Sequence, residues 1–147
     1  MSSRAAIHAF WTFGDTGGYA ALLNRRDQRH ADATALYARL RTEHWRLFTT
    51  NFILAETHAL LLAKADRRLA RQALATIQAS AATTIIRVSA ADEVRAVAIL
   101  DQYVDKSWSY TDCTSFAVME RLGIAVAFSF DRNFSQYGWT VLSASRR

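Results

Sequence analysis

Ala125–Gly138 reads A-V-A-F-S-F-D-R-N-F-S-Q-Y-G, and its first six residues form a mostly apolar run of strand length. The run stops at Asp131. Arg132, Asn133 and Gly138 follow, which is loop and turn chemistry. A carboxylate just past the carboxyl end of a buried strand stands where open α/β sheets place their ligands. The same design recurs near the other terminus, where A-F-W-T-F-G leads into Asp15 and then Thr16-Gly17-Gly18.

Between these two acids, strand-like and helix-like stretches alternate. Residues Ile7–Phe13 read as a first strand, Gly17 and Gly18 as its turn, and Tyr19–Asn24 as the start of a short helix. The charged stretch Asn24–His30 reads as an exposed loop. Ala31–Glu43 carries apolar residues at 33, 36, 37 and 40, the spacing of one helical face. Trp45–Thr49 reads as a second strand. Two helices follow, Asn51–Ala65 capped by Thr50 or Asn51, and Arg67–Ser80. The β-branched stretch Thr84–Val88 is a third strand. Ser89 caps a helix running to Tyr103, with Asp92 and Glu93 in its first turn. After a loop at Asp105–Tyr110, Thr111 caps a helix from Asp112 to Leu122 that stops at Gly123. Strand Ile124–Phe130, a turn of helix and a last strand Thr140–Ser143 complete the chain. This alternation predicts one α/β domain over residues 1–147, with a mainly parallel sheet covered by helices on both faces.

The 147 residues suffice for a buried core, and 51% apolar with 21% charged is ordinary for a globular protein. No apolar run has the length of a membrane span, and M-S-S-R-A-A-I-H lacks a signal-peptide pattern, so the expected location is cytoplasmic. A single cysteine, Cys113, excludes an intrachain disulfide and reads as a small packing residue. The net charge of +5 favours a polyanionic partner. Lys64 and Lys106 are the only lysines, so arginine supplies the charge. Arginine forks suit phosphate, although a GC-rich genome produces the same bias.

Four acids carry the chemical argument. Glu56 lies in F-I-L-A-E-T-H-A-L-L-L, a helix apolar nearly all round, on a stripe with Phe52, Ile53 and Leu60. It should point inward, and a buried carboxylate must be protonated, paired or bound to a cation. Asp112 alone would be a capping acid worth roughly 0.3–1 kcal/mol. Asp15 and Asp131 alone would be turn formers. Together, three of them stand where a parallel sheet directs side chains to one edge, and the fourth points inward. Carboxylates converging in one cleft raise each other's pKa, and a divalent cation relieves that. All-oxygen ligation suits Mg²⁺ or Mn²⁺, ions that serve phosphoryl chemistry. His8, His30, His44 and His58 have no ligand spacing.

These residues resemble the PIN-domain ribonucleases, in particular VapC-type toxins of bacterial toxin–antitoxin pairs. D-T-G-G-Y-A-A-L-L-N-R-R-D-Q-R-H (Asp15–His30) looks like the family's first block, and T-T-N-F-I-L-A-E-T (Thr49–Thr57) like its second. D-K-S-W-S-Y-T-D-C-T-S-F (Asp105–Phe116) and F-S-F-D-R-N-F-S-Q-Y-G (Phe128–Gly138) look like the third and fourth. The resemblance implies a three-layer α/β/α domain that cleaves single-stranded RNA with Mg²⁺ or Mn²⁺ held by Asp15, Glu56, Asp112 and Asp131. It implies that Thr16 orients a water or ligand near Asp15, and that Ser129 fills a position usually Thr or Ser. Asp105, acidic in many relatives, stands behind the ligands at most. It further implies a homodimer, and a small antitoxin whose C-terminal tail fills the acidic cleft. Two departures stand out. Gly14 precedes Asp15 where an apolar residue is usual, and Asn133 replaces a frequent His.

The expected activity is therefore endoribonuclease cleavage by a metal-activated water, with Asp15 or Asp112 assisting its deprotonation, leaving 5′-phosphate and 3′-hydroxyl ends. Arg25, Arg26, Arg29, Arg132 and Asn133 are the expected substrate contacts. Other classes fare worse. A haloacid-dehalogenase-like phosphatase needs an acid where Gly17 stands, and a receiver domain needs adjacent early acids and a late lysine. An RNA-processing nuclease without an antitoxin, or a non-catalytic RNA- or protein-binding PIN domain, is the alternative.

Overall fold

In the computed structural model, which describes residues 8–144, five strands form one sheet in the order β3-β2-β1-β4-β5. Every neighbouring pair is parallel. The strands are β1 (Trp11–Gly14), β2 (Arg46–Thr50), β3 (Thr83–Ile86), β4 (Val126–Phe128) and β5 (Thr140–Val141). Helices α1 (Thr16–Leu23) and α2 (His30–Thr42) join β1 to β2, and α3 (Asn51–Lys64) and α4 (Arg67–Ala79) join β2 to β3. Helices α5 (Ala90–Gln102) and α6 (Tyr110–Leu122) lead to β4, and α7 (Arg132–Tyr137) leads to β5. The helices pack mainly as two groups, α1–α4 and α5–α7. Right-handed crossovers in this strand order require that division. The expected three-layer α/β/α domain with a parallel sheet is what forms.

The strands are buried because their residues are. Phe13, Leu47, Ala127 and Phe128 are fully shielded from solvent, and Thr12 spends its hydroxyl on the carbonyl of Val126 at 3.0 Å. Beneath α6 and α7 an aromatic cluster closes the core. Phe116 stacks on Tyr137 at 4.5 Å, and Trp108 meets both rings edge-on.

Helix ends follow local chemistry, in some places differently from the sequence reading. Thr50, not Asn51, caps α3 by accepting from the Ile53 amide at 3.1 Å. Asn51 instead reaches the Val88 amide at 2.9 Å. Ser89 caps α5 reciprocally with Asp92, and Gly123 ends α6 in the left-handed region at φ 70°, both as expected. Helix α6 starts two residues earlier than expected. Ser109 is its cap, not Thr111, because Ser109 and Asp112 exchange side-chain and backbone hydrogen bonds at 3.0 Å. The first strand begins at Trp11, where pairing with Arg46 begins, rather than at Ile7, which lies outside the described residues. The last strand is only two residues long, and β4 ends at Phe128 rather than Phe130. The Phe128 carbonyl accepts from the Asp15 amide at 3.1 Å as the last rung of the β1–β4 pairing, and beyond it the chain leaves the sheet.

The glycines after Asp15 are helix, not turn. Helix α1 begins at Thr16, and Gly18 lies against β4, where an added Cβ would sit 2.6 Å from the Phe128 carbonyl oxygen. Gly14 has a similar cause. A Cβ there would lie 2.5–2.7 Å from the buried Tyr19 ring, so the apolar residue usual before the first acid is displaced by an aromatic ring from α1. Gly14→Ala should cost about 1–3 kcal/mol, read as a lower urea midpoint with unchanged m-value.

Candidate active site

At β1 the chain exits toward β2, and at β4 it exits toward β5, so these adjacent strands form the point where the strand order reverses. A crevice opens there past their carboxyl ends. Asp15 and Thr16 come from the end of β1, Glu56 from the second turn of α3, Asp112 from the first turn of α6, and Asp131 from the segment after β4. All five line one pocket of about 640 Å³, together with Gly17, Leu60, Phe130 and Arg132. The four acids singled out from the sequence thus come together.

Asp15 occupies the cap position of α1 yet makes no side-chain cap to it. Its Oδ2 accepts from the Ser129 hydroxyl at 2.9 Å instead. The carboxyl is 4% exposed. Burial pushes its pKa up to about 7, and the charges of Asp112 and Glu56 add to the shift, against the hydrogen bonds from Ser129 and the Thr16 amide. Thr16 donates its hydroxyl to Glu56 Oε1 at 2.5 Å. That contact fixes Glu56, which is half-buried rather than fully inward, because its stripe faces the crevice and only Ile53 below it reaches the core.

Asp112 is held at the third position of α6 by the Ser109 amide. Its pKa is also raised, chiefly by burial and then by the charge of Asp131, while the Ser109 and Asn133 hydrogen bonds oppose the shift. Asp131 caps α7 by accepting from the Asn133 amide at 3.0 Å. The Asn133 side chain, expected to face substrate, is turned inward. Its Nδ2 donates to Asp112 at 2.8 Å and to Asp131 at 3.2 Å, a neutral donor between two anions.

Ser129 performs a comparable service on the other side. Its hydroxyl donates to Asp15 while accepting from the Asp131 amide at 3.0 Å, so one buried oxygen ties the first acid to the last. Among the described residues no Lys, Arg or His forms an ion pair with any of the four acids. The acids ring the pocket rather than meet at a point: among those residues no three acidic, His or Cys side chains are already gathered to hold an ion.

The other expected residues divide. Arg132 lines the same pocket, and Arg29 shares an adjacent hollow with Asp131 and Arg132. Arg26 lies a step further, and Arg25 further still, beside Lys64. Asp105 is exposed, pairs with Lys106 at 3.6 Å and is not in the pocket wall. His8 stacks on Trp11, and His30 bonds the Ala21 carbonyl. Cys113 is buried, and burial followed by the charge of Asp112 lifts its thiol to about 11, too high for a nucleophile. Sequence reasoning missed Ser109 and Phe130. The S-x-x-D spacing of a capping box was the available signal for Ser109.

Because Ser109 both starts α6 and holds Asp112, Ser109→Ala should cost about 1 kcal/mol, measured by urea denaturation. Its RNA cleavage should fall further than a simple loss of stability would cause.

Comparison with known proteins identifies the family. Residues 13–139 match the PIN domain family. The chain is 37% identical over 127 residues to the 23S rRNA-specific endonuclease VapC20 of Mycobacterium tuberculosis, spanning 86% of this chain and 94% of that protein. To a VapC ribonuclease of Archaeoglobus fulgidus it is 33% identical over 123 residues, spanning 82% and 77%. The crystal structure of the M. tuberculosis VapC20, a sarcin–ricin loop cleaving toxin, matches with a TM-score of 0.83 at 35% identity, covering 90% of this chain and 98% of that one. With fold and sequence in agreement, the chain belongs to the PIN-domain family, among the VapC proteins.

Proposed function

We propose that this chain is a divalent-cation-dependent endoribonuclease and the toxin of a toxin–antitoxin pair. One observation carries the reading: four carboxylates from four separate segments wall one pocket, and no described cationic side chain pairs with them. Uncompensated acids of this kind are costly in a folded protein unless a cation completes them. The donor set is all oxygen, which fits Mg²⁺ or Mn²⁺ and no softer metal. Asp15, Glu56, Asp112 and Asp131 would hold the ion, which when bound polarises a phosphodiester and stabilises charge at the attacking and leaving oxygens.

The chain's own residues supply the rest. Thr16 fixes Glu56, Ser129 fixes Asp15, and Asn133 keeps Asp112 and Asp131 from repelling each other apart. Asp15 or Asp112 takes the proton from the attacking water. Arg132 in the pocket wall and Arg29 beside it hold the RNA backbone. Water as the nucleophile leaves a 5′-phosphate and a 3′-hydroxyl.

The names of the relatives support RNA as substrate, and 23S rRNA, the target of VapC20, is the first RNA to test. A toxin that cuts RNA needs restraint in the cell that makes it. An acidic pocket suits an antitoxin tail bearing Arg or Lys, and a homodimer and a cytoplasmic location belong to the same proposal. No helix among the described residues is long and apolar enough to cross a membrane.

Purified protein should cleave RNA with Mg²⁺ or Mn²⁺, lose that activity with EDTA and leave ends that a 5′-phosphate-dependent exonuclease digests. Cyclic 2′,3′-phosphate ends, or cleavage indifferent to chelation, would refute it.

A further inference from the structure

The acidic pocket adjoins other hollows, and Phe130 walls both the pocket and two of them. On one side a hollow of about 550 Å³ runs past Gly17 and Leu60 to Arg26, Arg29 and Lys64. Arg26 and Lys64 continue into the next, which Arg25 and Arg68 also line. A further hollow of about 330 Å³, sharing Phe130 and Arg29 with the first, is lined by Arg132 and by Asp32 and Asp131 as well. The surface is thus an acidic centre bordered by cations, with one aromatic ring at the junction.

Phe130 was expected inside a strand. It lies beyond the end of β4 and is half-buried, its ring 6.3 Å from that of Phe128 in an edge contact. The exposed Arg29 guanidinium lies 5.5 Å from the centroid of the Phe130 ring, so that face admits a flat cation. Neighbouring acids do not neutralise these cations. Asp27 accepts from the Arg29 backbone amide and Asp66 from the Leu69 amide, and neither pairs with an Arg or Lys among the described residues.

We propose that Phe130 and Arg29 form a nucleobase-stacking platform at the mouth of the acidic pocket, from which the RNA strand leaves along Arg26, Lys64, Arg25 and Arg68. This rests on reading the pocket as an RNA-cleaving site. Every base has a π-face, so a lone ring beside a cationic groove binds single-stranded nucleic acid by stacking, while the groove tracks phosphates. A base settles on the ring face that Arg29 now covers, and the displaced guanidinium moves to the adjoining phosphate. The platform takes the nucleotide next to the scissile phosphate, because Phe130 and the four acids share one pocket wall.

The test is binding, separate from cleavage. Full-length Asp112→Asn protein is titrated in EDTA with a fluorescent 12-nucleotide single-stranded RNA, and with a series in which each position in turn is abasic. One abasic position should weaken binding about 5- to 150-fold, and the same position should have no effect once Phe130→Ala is added. Phe130→Trp should bind as well as Phe130, and Phe130→Leu, which keeps the packing against Phe128, should bind as weakly as Phe130→Ala. Arg26→Ala and Lys64→Ala should each lower the salt slope by about 0.7 without preferring any position. An abasic series with no sensitive position, or Phe130→Leu binding like the parent, would overturn the platform. Should the parent protein fail to cut RNA with Mg²⁺ while the sensitive position persists, the nuclease reading falls and the platform stands. Should cleavage depend on Asp112 while the Phe130 variants bind unchanged, the platform alone falls.

Discussion

Asp15→Asn should stabilise the metal-free protein at pH 8 and at the same time lower RNA cleavage by about a thousandfold or more, roughly 4 kcal/mol of barrier. Both effects come from one buried group. Burial pushes the carboxyl up to about 7 in the folded chain from its ordinary 3.8. Between those values the folded state binds more protons than the unfolded one, so stability falls as pH rises from about 4 to about 7 and then levels off. The full effect has a ceiling of about 4 kcal/mol, at about 1.4 kcal/mol per pH unit of difference. An Asn has no charge to bury and can still accept from Ser129, so its pH dependence should be flatter. Asp112, shifted in the same direction, leaves a residual slope. Urea titrations in EDTA at pH 5 and pH 8 measure this directly. Added Mg²⁺ should stabilise the parent more at pH 8 than at pH 5, and Asp15→Asn hardly at all. Parallel pH curves for the two proteins would mean that Asp15 is not strained.

The adjacent glycines should respond in opposite ways to the same substitution. Gly17→Ala places its Cβ in open space, 3.9 Å from the nearest Asp15 oxygen, and should gain about 0.5–1 kcal/mol by restricting the unfolded chain. Gly18→Ala gains the same helix preference but drives its Cβ to 2.6 Å from the Phe128 carbonyl oxygen. That atom is backbone at the end of β4, held by the Asp15 amide, and cannot swing aside, so the clash wins and the variant loses about 2–3 kcal/mol. The same carbonyl accepts from the Asp15 amide, so Gly18→Ala should also weaken divalent-ion uptake. Thermal denaturation of the pair, with calorimetric Mg²⁺ titration, tests both claims. Equal melting temperatures would show that α1 has room to move away from β4.

What could be read from the chain and what could not divide along a physical line. Asp15 and Asp131 were legible because each ends an apolar run, and a parallel sheet gathers the carboxyl ends of its strands at one edge. Glu56 was legible because an acid in an otherwise apolar helix requires a reason. The α5 cap and the Gly123 stop were legible because they are settled within four residues. Residues whose role depends on a distant partner were not. Gly18 looks like a turn glycine until Phe128 is seen above it, and Gly14 like a departure from an apolar strand position until Tyr19 is. Asn133 looks like a substrate contact until its amide is found between Asp112 and Asp131. Phe130 belongs to an apolar run that outlasts its strand, since the bond from the Asp15 amide to the Phe128 carbonyl is the last rung of the β1–β4 pairing.

The strand order has a consequence for synthesis. The central strand β1 is made first, yet its partner on one side is β4, and the hydroxyl of Thr12 waits for a carbonyl 114 positions later. During translation that edge of β1 stays unpaired until Val126–Phe128 has left the ribosome. Only then do Ser129 and Asp131 meet Asp15, so an unfinished chain carries no assembled cleft. A stalled product ending before β4 should be inert toward RNA and prone to aggregate.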